Sequence, residues 1–173
     1  MGTDDLGRSL LWRCLMGGSI SLGIGMASAA MAVFIGVLWG GLAGFVGGKV
    51  DSVMMRIVDV LYGLPYVLLV VMINLAIQPF VRSGLSAVIN PETARQTAGI
   101  VTLFMAIGSV SWLVMARVIR GQVLSLREQP FIEAARAMGY GPWRIMRVHL
   151  LPNLVGPIVV YATLTVPAAI LQE

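Results

Sequence analysis

Few side chains in this sequence could do chemistry, and their spacing argues against most of it. Lys49, the only lysine, sits in "AGFVGGKV". Ala43 stands where a phosphate-cradling loop needs its first glycine, and Val50 replaces the Ser or Thr that would reach a magnesium ion. The run from Gly23 to Ser28 nearly spells a dinucleotide fingerprint, but it lacks the third glycine and lies inside an apolar segment. Cys14 is the only cysteine and His149 the only histidine, so neither an internal disulfide nor a metal-ligand set is available. No carboxylate or histidine sits inside an apolar segment to relay protons. The chain therefore reads as non-catalytic, and any energy it uses comes from elsewhere. Asn74, Gln78, Thr163 and Thr165 are the polar side chains that could line a path through apolar surroundings. Interhelical hydrogen bonding explains them equally well.

The elements that would hold these residues are apolar and long. The 173 residues are 58% hydrophobic and 12% charged, about half the charge of an ordinary soluble domain. Four segments stand out, at about 20–46, 61–81, 99–116 and 154–171. Charges appear only at their edges, as Arg82 and Arg117. A spanning helix takes roughly 17–25 apolar residues, and a charge at mid-membrane costs at least ~3 kcal/mol. The expectation is an all-α, multi-pass membrane bundle in a lipid bilayer.

The net charge of +4 has a topological explanation and needs no nucleic-acid partner. Arg117, Arg120, Arg127, Arg136, Arg144 and Arg147 crowd the connection between the third and fourth segments, which places that loop in the cytoplasm. Lys49 and Arg56 then fall on the same side. The stretch 82–98, the amino terminus and Glu173 fall outside, although Arg8 and Arg13 weigh against that and Asp4 and Asp5 offset them little. "MGTDDLGRSL" does not read as a signal peptide. Leu6 stands where a myristoylation signal wants Ser or Thr.

Two patterns bear on packing. Gly36, Gly40, Gly44 and Gly48 recur every fourth residue and predict a glycine groove along one helix face. Ordinary close packing accounts for it, as does a helix pair that moves as a unit. Pro65, Pro79, Pro157 and Pro167 predict kinks within or at the ends of spans.

The loop before the fourth segment carries the most specific pattern, "EAARAMGYGPWRIMRVHLLPN" from Glu133 to Asn153. Pro130 suits a first helical position and Glu133 a first turn. Phe131, Ala134, Ala135 and Met138 follow i, i+3, i+4, i+7 and predict one apolar face. Gly139 closes the helix, and Gly141-Pro142 starts a second, with Pro152 opening the last span. A helix of two turns is marginal alone, so its apolar face must dock, either on the chain's own helices or lipid, or in a groove on a cytoplasmic partner.

Glu133-Ala134-Ala135, Gly139 and Leu151-Pro152-Asn153 resemble the EAA loop of ABC-importer permeases. "GTDDLGRS", "GGKVDSVMMRIVDVLYGLP" and "ARVIRGQVLSLREQPFIEAARAMG" resemble the dipeptide/oligopeptide/nickel branch of that family. Ser9 departs from it, standing where an Asp is usual. The resemblance implies a permease domain of the type I importer kind over 20–173, preceded by an extracytoplasmic segment 1–19, with the EAA loop at about 128–152. It also implies two flanking spans outside this stretch, so the chain is expected to be a piece of a six-span subunit. The implied partners are a second permease, cytoplasmic ATPase subunits that carry ATP and Mg, and an extracytoplasmic solute-binding protein. Phe131, Glu133, Ala134, Ala135, Arg136, Met138 and Gly139 would then form the ATPase-coupling helix, with no cofactor on this chain. The alternative is a channel or structural assembly subunit whose loop packs on itself.

Overall fold

Helix follows helix in this chain, without a strand among the described residues. The computed structural model describes Gly2, Gly7 and residues 9–172. Asp4, Asp5, Leu6, Arg8 and Glu173, used in the readings above, lie outside them. The order is α1 Leu10–Val46, α2 Gly48–Tyr62, α3 Tyr66–Ser86, α4 Pro91–Arg127, α5 Pro130–Ala137, α6 Pro142–Ile145, a π-helical turn Met146–Leu150, and α7 Leu151–Gln172. Four helical runs are long and apolar enough to cross a membrane, Leu10–Val46, Tyr66–Ser86, Pro91–Arg127 and Pro142–Leu171. The architecture is an all-α membrane bundle.

Several boundaries differ from those expected. α1 begins at Leu10, ahead of residue 20, because Ser9 offers its hydroxyl to the Trp12 amide and Leu10, Leu11 and Trp12 continue the helix outward. The second span runs Tyr66–Ser86 and not 61–81, since Gly63 ends α2 and Pro65 forces an extended residue before α3. The third begins at Pro91 and the fourth at Pro142. Pro152 does not open the last span but lies in the first turn of α7. It lacks the N–H that would pair with Val148. The chain takes this up in the π turn just before it, where the Leu151 amide donates to the Met146 carbonyl five residues back. The Asn153 side-chain amide donates to the His149 carbonyl at 2.6 Å.

Between the first two spans, α2 is a 15-residue helix with Asp51, Met55 and Val58 buried at i, i+4, i+7. Its charges hid it from a search for uninterrupted apolar runs.

The core lies between α1 and α4. Each has 37 residues and is therefore roughly 55 Å long at 1.5 Å per residue, against about 30 Å of hydrocarbon. Contact along this pair is set by glycine. A Cβ on Gly36 would stand 2.5 Å from the Met115 Cβ, one on Gly40 would collide with the Ala116 carbonyl, and one on Gly44 would stand 3.0 Å from Val123. The fourth expected member, Gly48, is not in the groove. α1 ends at Val46, Gly47 turns the chain at φ +70°, and Gly48 opens α2 at φ +59°. Gly25 adds a second close contact, to Val166 and Ile170 of α7. Ile24, Ala43, Met55, Val58, Val70 and Ile107 join in one buried cluster that draws on five helices. α3 packs on α4, and α7 packs on α1 and α4. Of α3 only Val70 is buried, so most of its apolar surface faces outward.

Gly40 and Gly41 separate close approach from local helix propensity. Gly40→Ala is expected to cost roughly 1–3 kcal/mol through overpacking. Gly41→Ala meets nothing within 4 Å and is expected to be neutral or slightly stabilising, since alanine favours a helix by about 1 kcal/mol. Thermal unfolding of both variants in detergent checks this, and equal midpoints would contradict it.

Candidate functional site

The arginine-rich end of the bundle carries the built features. Residues 130–137 fold as expected of their sequence, with Pro130 at the first position and Glu133 in the first turn of α5. Gly139 takes φ +79°, which glycine adopts without the Cβ clash. The Gly139 amide donates to the Arg136 carbonyl (2.9 Å) and the Tyr140 amide to the Ala135 carbonyl (3.1 Å), the paired bonds of a Schellman cap.

The expected single apolar face divides in two. Ile132 and Ala135 point inward and are fully buried with Ile119, Val123, Leu150 and Leu154. Ala135 was placed on the docking face, but it is held in the chain's own core. Phe131, Ala134 and Met138 point outward, with Met138 64% exposed and nearby Trp143 75% exposed. Glu133 and Arg136 are exposed beside them. Ile132 was missed because it falls off the i, i+3, i+4, i+7 pattern that its neighbours form.

His149, on the π turn, ties this helix to α7. Its ring stacks on Tyr140 (centroids 6.0 Å, 21° between planes) and lies 6.4 Å from Phe131. Its Nε2 is buried without a hydrogen-bond partner. The Arg144 guanidinium covers the other ring of this stack, 4.3 Å from the Tyr140 centroid. Among the described residues no group of three His, Cys, Asp or Glu could hold a metal ion.

A second set of contacts clamps α2 to the same end of α4. Arg120 donates to both carboxylate oxygens of Asp51, from Nε at 2.5 Å and Nη2 at 2.6 Å. Arg117 donates to Asp59 at 2.9 Å and lies 4.0 Å over the Tyr62 ring. Arg127 donates to the Gly44 carbonyl at 2.7 Å. The Trp39 indole donates to the Met54 carbonyl and meets Trp112 edge-on at 5.3 Å. Arg117, Arg120 and Arg127, read above as topological charges, are thus also structural ligands. The forked hydrogen bond from Arg120 holds the Asp51 carboxyl below its usual pKa, against the opposing effect of burial.

The four polar residues proposed for a pathway are not brought together. Asn74 is half-buried with its Oδ1 unpartnered, and Gln78 faces a cavity near the opposite end of α3. Thr163 donates to the Val159 and Val160 carbonyls and Thr165 to that of Tyr161, so both are satisfied by their own helix. They face different hollows, Thr163 toward α1 and Thr165 toward α3 and α4. The latter is a cavity of about 510 Å³ that also presents Tyr66, Ser111 and Tyr161. Sequence reading overlooked Tyr66, whose hydroxyl is buried on the side of this cavity that Ser111 also lines.

A family model described as binding-protein-dependent transport system inner membrane component matches residues 19–173. The chain belongs to that family. Within it, the dipeptide transport system permease protein DppC of Bacillus subtilis (strain 168) is 41% identical over 99% of this chain and 48% of its own length. The oligopeptide transport system permease proteins OppC of Escherichia coli (strain K12) and of B. subtilis (strain 168) are 44% and 39% identical, over 51% and 50% of their lengths. The chain spans about half the length of these curated relatives. The four helical runs of spanning length agree with a multi-pass membrane protein of that family.

The Asp51 pair makes a pH prediction. A depressed folded pKa contributes stability above the unfolded carboxylate value of about 3.9 and loses it as pH falls through the lower folded value. Asp51→Asn is expected to lower stability at pH 7 by roughly 1–3 kcal/mol, because it leaves the Arg120 guanidinium without its anion. The gap to the native chain should narrow as pH drops below about 4. Unfolding midpoints of both proteins between pH 7 and pH 3 decide it, and a gap that does not change with pH would count against the pair.

Proposed function

We propose that this chain is the membrane-spanning part of a permease subunit of an ATP-driven importer for peptides or related small solutes, and that α5 is its coupling helix. The relatives are permeases of dipeptide and oligopeptide transport systems, which supports that cargo class. Two permease subunits would form the path between them, and an extracytoplasmic binding protein would deliver cargo. Cytoplasmic ATPase subunits would hold and hydrolyse ATP with Mg, since this chain offers no phosphate cradle. The arginine-rich end lies in the cytoplasm on this reading, by the excess of positive charge.

The division of α5 into two faces is the observation that carries the reading. Ile132 and Ala135 key the helix to the core, while Phe131, Ala134 and Met138 remain as an apolar stripe at i, i+3, i+7. A helix presenting such anchors fits a groove on a partner. Trp143 extends the stripe onto α6. Glu133 and Arg136 flank it as orienting charges. From α6 the helical run continues without interruption to Leu171. A rigid-body displacement of α5 therefore reaches α7 through the His149 stack and the π turn, in the manner of helix shifts at subunit interfaces.

Disulfide crosslinking in the full-length protein, with Cys14→Ser, tests the assignment. Ala134→Cys is expected to crosslink to a cysteine in the ATPase groove in a nucleotide-dependent way, whereas Ala135→Cys, fully buried, is not. Crosslinking at neither position, or equally at both, would remove α5 as the docking helix. Gly139→Val forces a β-branched residue to φ +79° at a cost of about 1–2 kcal/mol. It is expected to lower cargo uptake per ATP hydrolysed about tenfold while ATP hydrolysis continues. Fully coupled transport by that variant would contradict the role given to the cap.

A further inference from the structure

The end of the bundle opposite the arginine-rich loop has a charged hollow of its own. Gln78, Arg82 and Ser86 lie at four-residue spacing along one face of α3, opposite Arg95 and Ala98 of α4. Together they line an open hollow of about 480 Å³. Two arginines thus border one space. Neither has an anionic partner among the described residues. Asp51 and Asp59 are taken by Arg120 and Arg117, Glu128 and Glu133 belong to the loop at the other end, and Glu92, one turn before Arg95, pairs with neither arginine.

Arg82, Arg95 and Gln78 are all solvent-exposed, so a solute reaching this end meets them directly. Like charges repel, and arginines are uncommon on the outer side of a membrane protein, which is where the proposed orientation puts this end. The donors facing the cavity are also selective. Ser83 and Ser86 donate their protons to the Phe80 and Ser83 carbonyls of their own helix. The two guanidiniums and the Gln78 amide remain, with Gln78 one turn further into the span. Guanidinium recognises a carboxylate through two parallel N–H bonds. A neutral amide behind it suits the peptide unit that follows a terminal carboxylate.

We propose that Arg82 and Arg95 form an oxyanion site at the extracytoplasmic mouth, which takes the carboxylate of an entering peptide-like solute while Gln78 contacts the adjoining amide. The site rests on the function proposed above for its orientation and its cargo class. A carboxylate and a lipid phosphate share the chemistry, and the test separates them.

The full-length permease carrying Cys14→Ser and Ser86→Cys, in phosphatidylcholine vesicles, is labelled with an anionic, sulfonate-bearing methanethiosulfonate and with its cationic, ammonium-bearing counterpart. The anionic reagent is expected to react about tenfold faster, drawn by the local positive potential. Adding Arg82→Gln and Arg95→Gln should bring the ratio close to one, and Arg82→Lys with Arg95→Lys should keep most of it. Trialanine should slow the anionic reagent, and trialanine amide, which lacks the carboxylate, should not. A ratio indifferent to neutralising both arginines would overturn the site. Equal protection by acid and amide would overturn its carboxylate selectivity. Loss of labelling on adding phosphatidylglycerol, without peptide, would assign the arginines to lipid phosphate and overturn the solute site. Because this readout involves no ATPase, failure of the α5 crosslinks would leave it standing.

Discussion

The absence of side chains at Gly36, Gly40 and Gly44 is what the rest of this bundle depends on. It lets the backbone of α1 lie against that of α4, with the Gly40 position filled by the Ala116 carbonyl. In lipid there is little hydrophobic drive between apolar helices, so close van der Waals contact carries the association. Once α1 and α4 are joined at that depth, Arg127 can reach the Gly44 carbonyl, and Trp39 can meet Trp112. The ends of α4 and α1 are then positioned to receive α2, whose acids find Arg117 and Arg120 on α4. α3 and α7 are laid against this pair and keep their outward faces free.

The loop between α4 and α7 inherits its order from the same pair. Ile119 and Val123, near the end of α4, form the floor on which Ile132 and Ala135 of α5 rest. Leu150 and Leu154 close the cluster from the start of the last run. A two-turn helix that would be marginal in water is thereby held on one side, and its other side is left apolar and exposed.

Much of this could be read from residue types. Uninterrupted apolar runs announced the spans because charge inside lipid is expensive. Pro130 and Gly139 marked the ends of α5 because one lacks an amide proton and the other a Cβ. The limits have physical causes as well. Helix α2 carries Lys49, Asp51, Arg56 and Asp59, and a charged helix whose partners lie about sixty residues away has no local signature. Ala135 fits two helical patterns at once, and only the position of Val123 decides which way it faces. The division between Thr163 and Thr165 depends on which neighbours flank α7 and cannot be seen along one strand of sequence.

The π turn at Met146–Leu150 also sets a phase. Relative to a regular helix it holds one extra residue, and one residue is worth about 100° of rotation. The faces of α7 that meet α1 on one side and α4 on the other are indexed to the membrane surface by that single residue. A lineage that lost it could keep every hydrophobic residue of the last span and still present the wrong ones to each neighbour. Length between Gly139 and Pro152 is in this sense as much a part of the design as the residues that mark its ends.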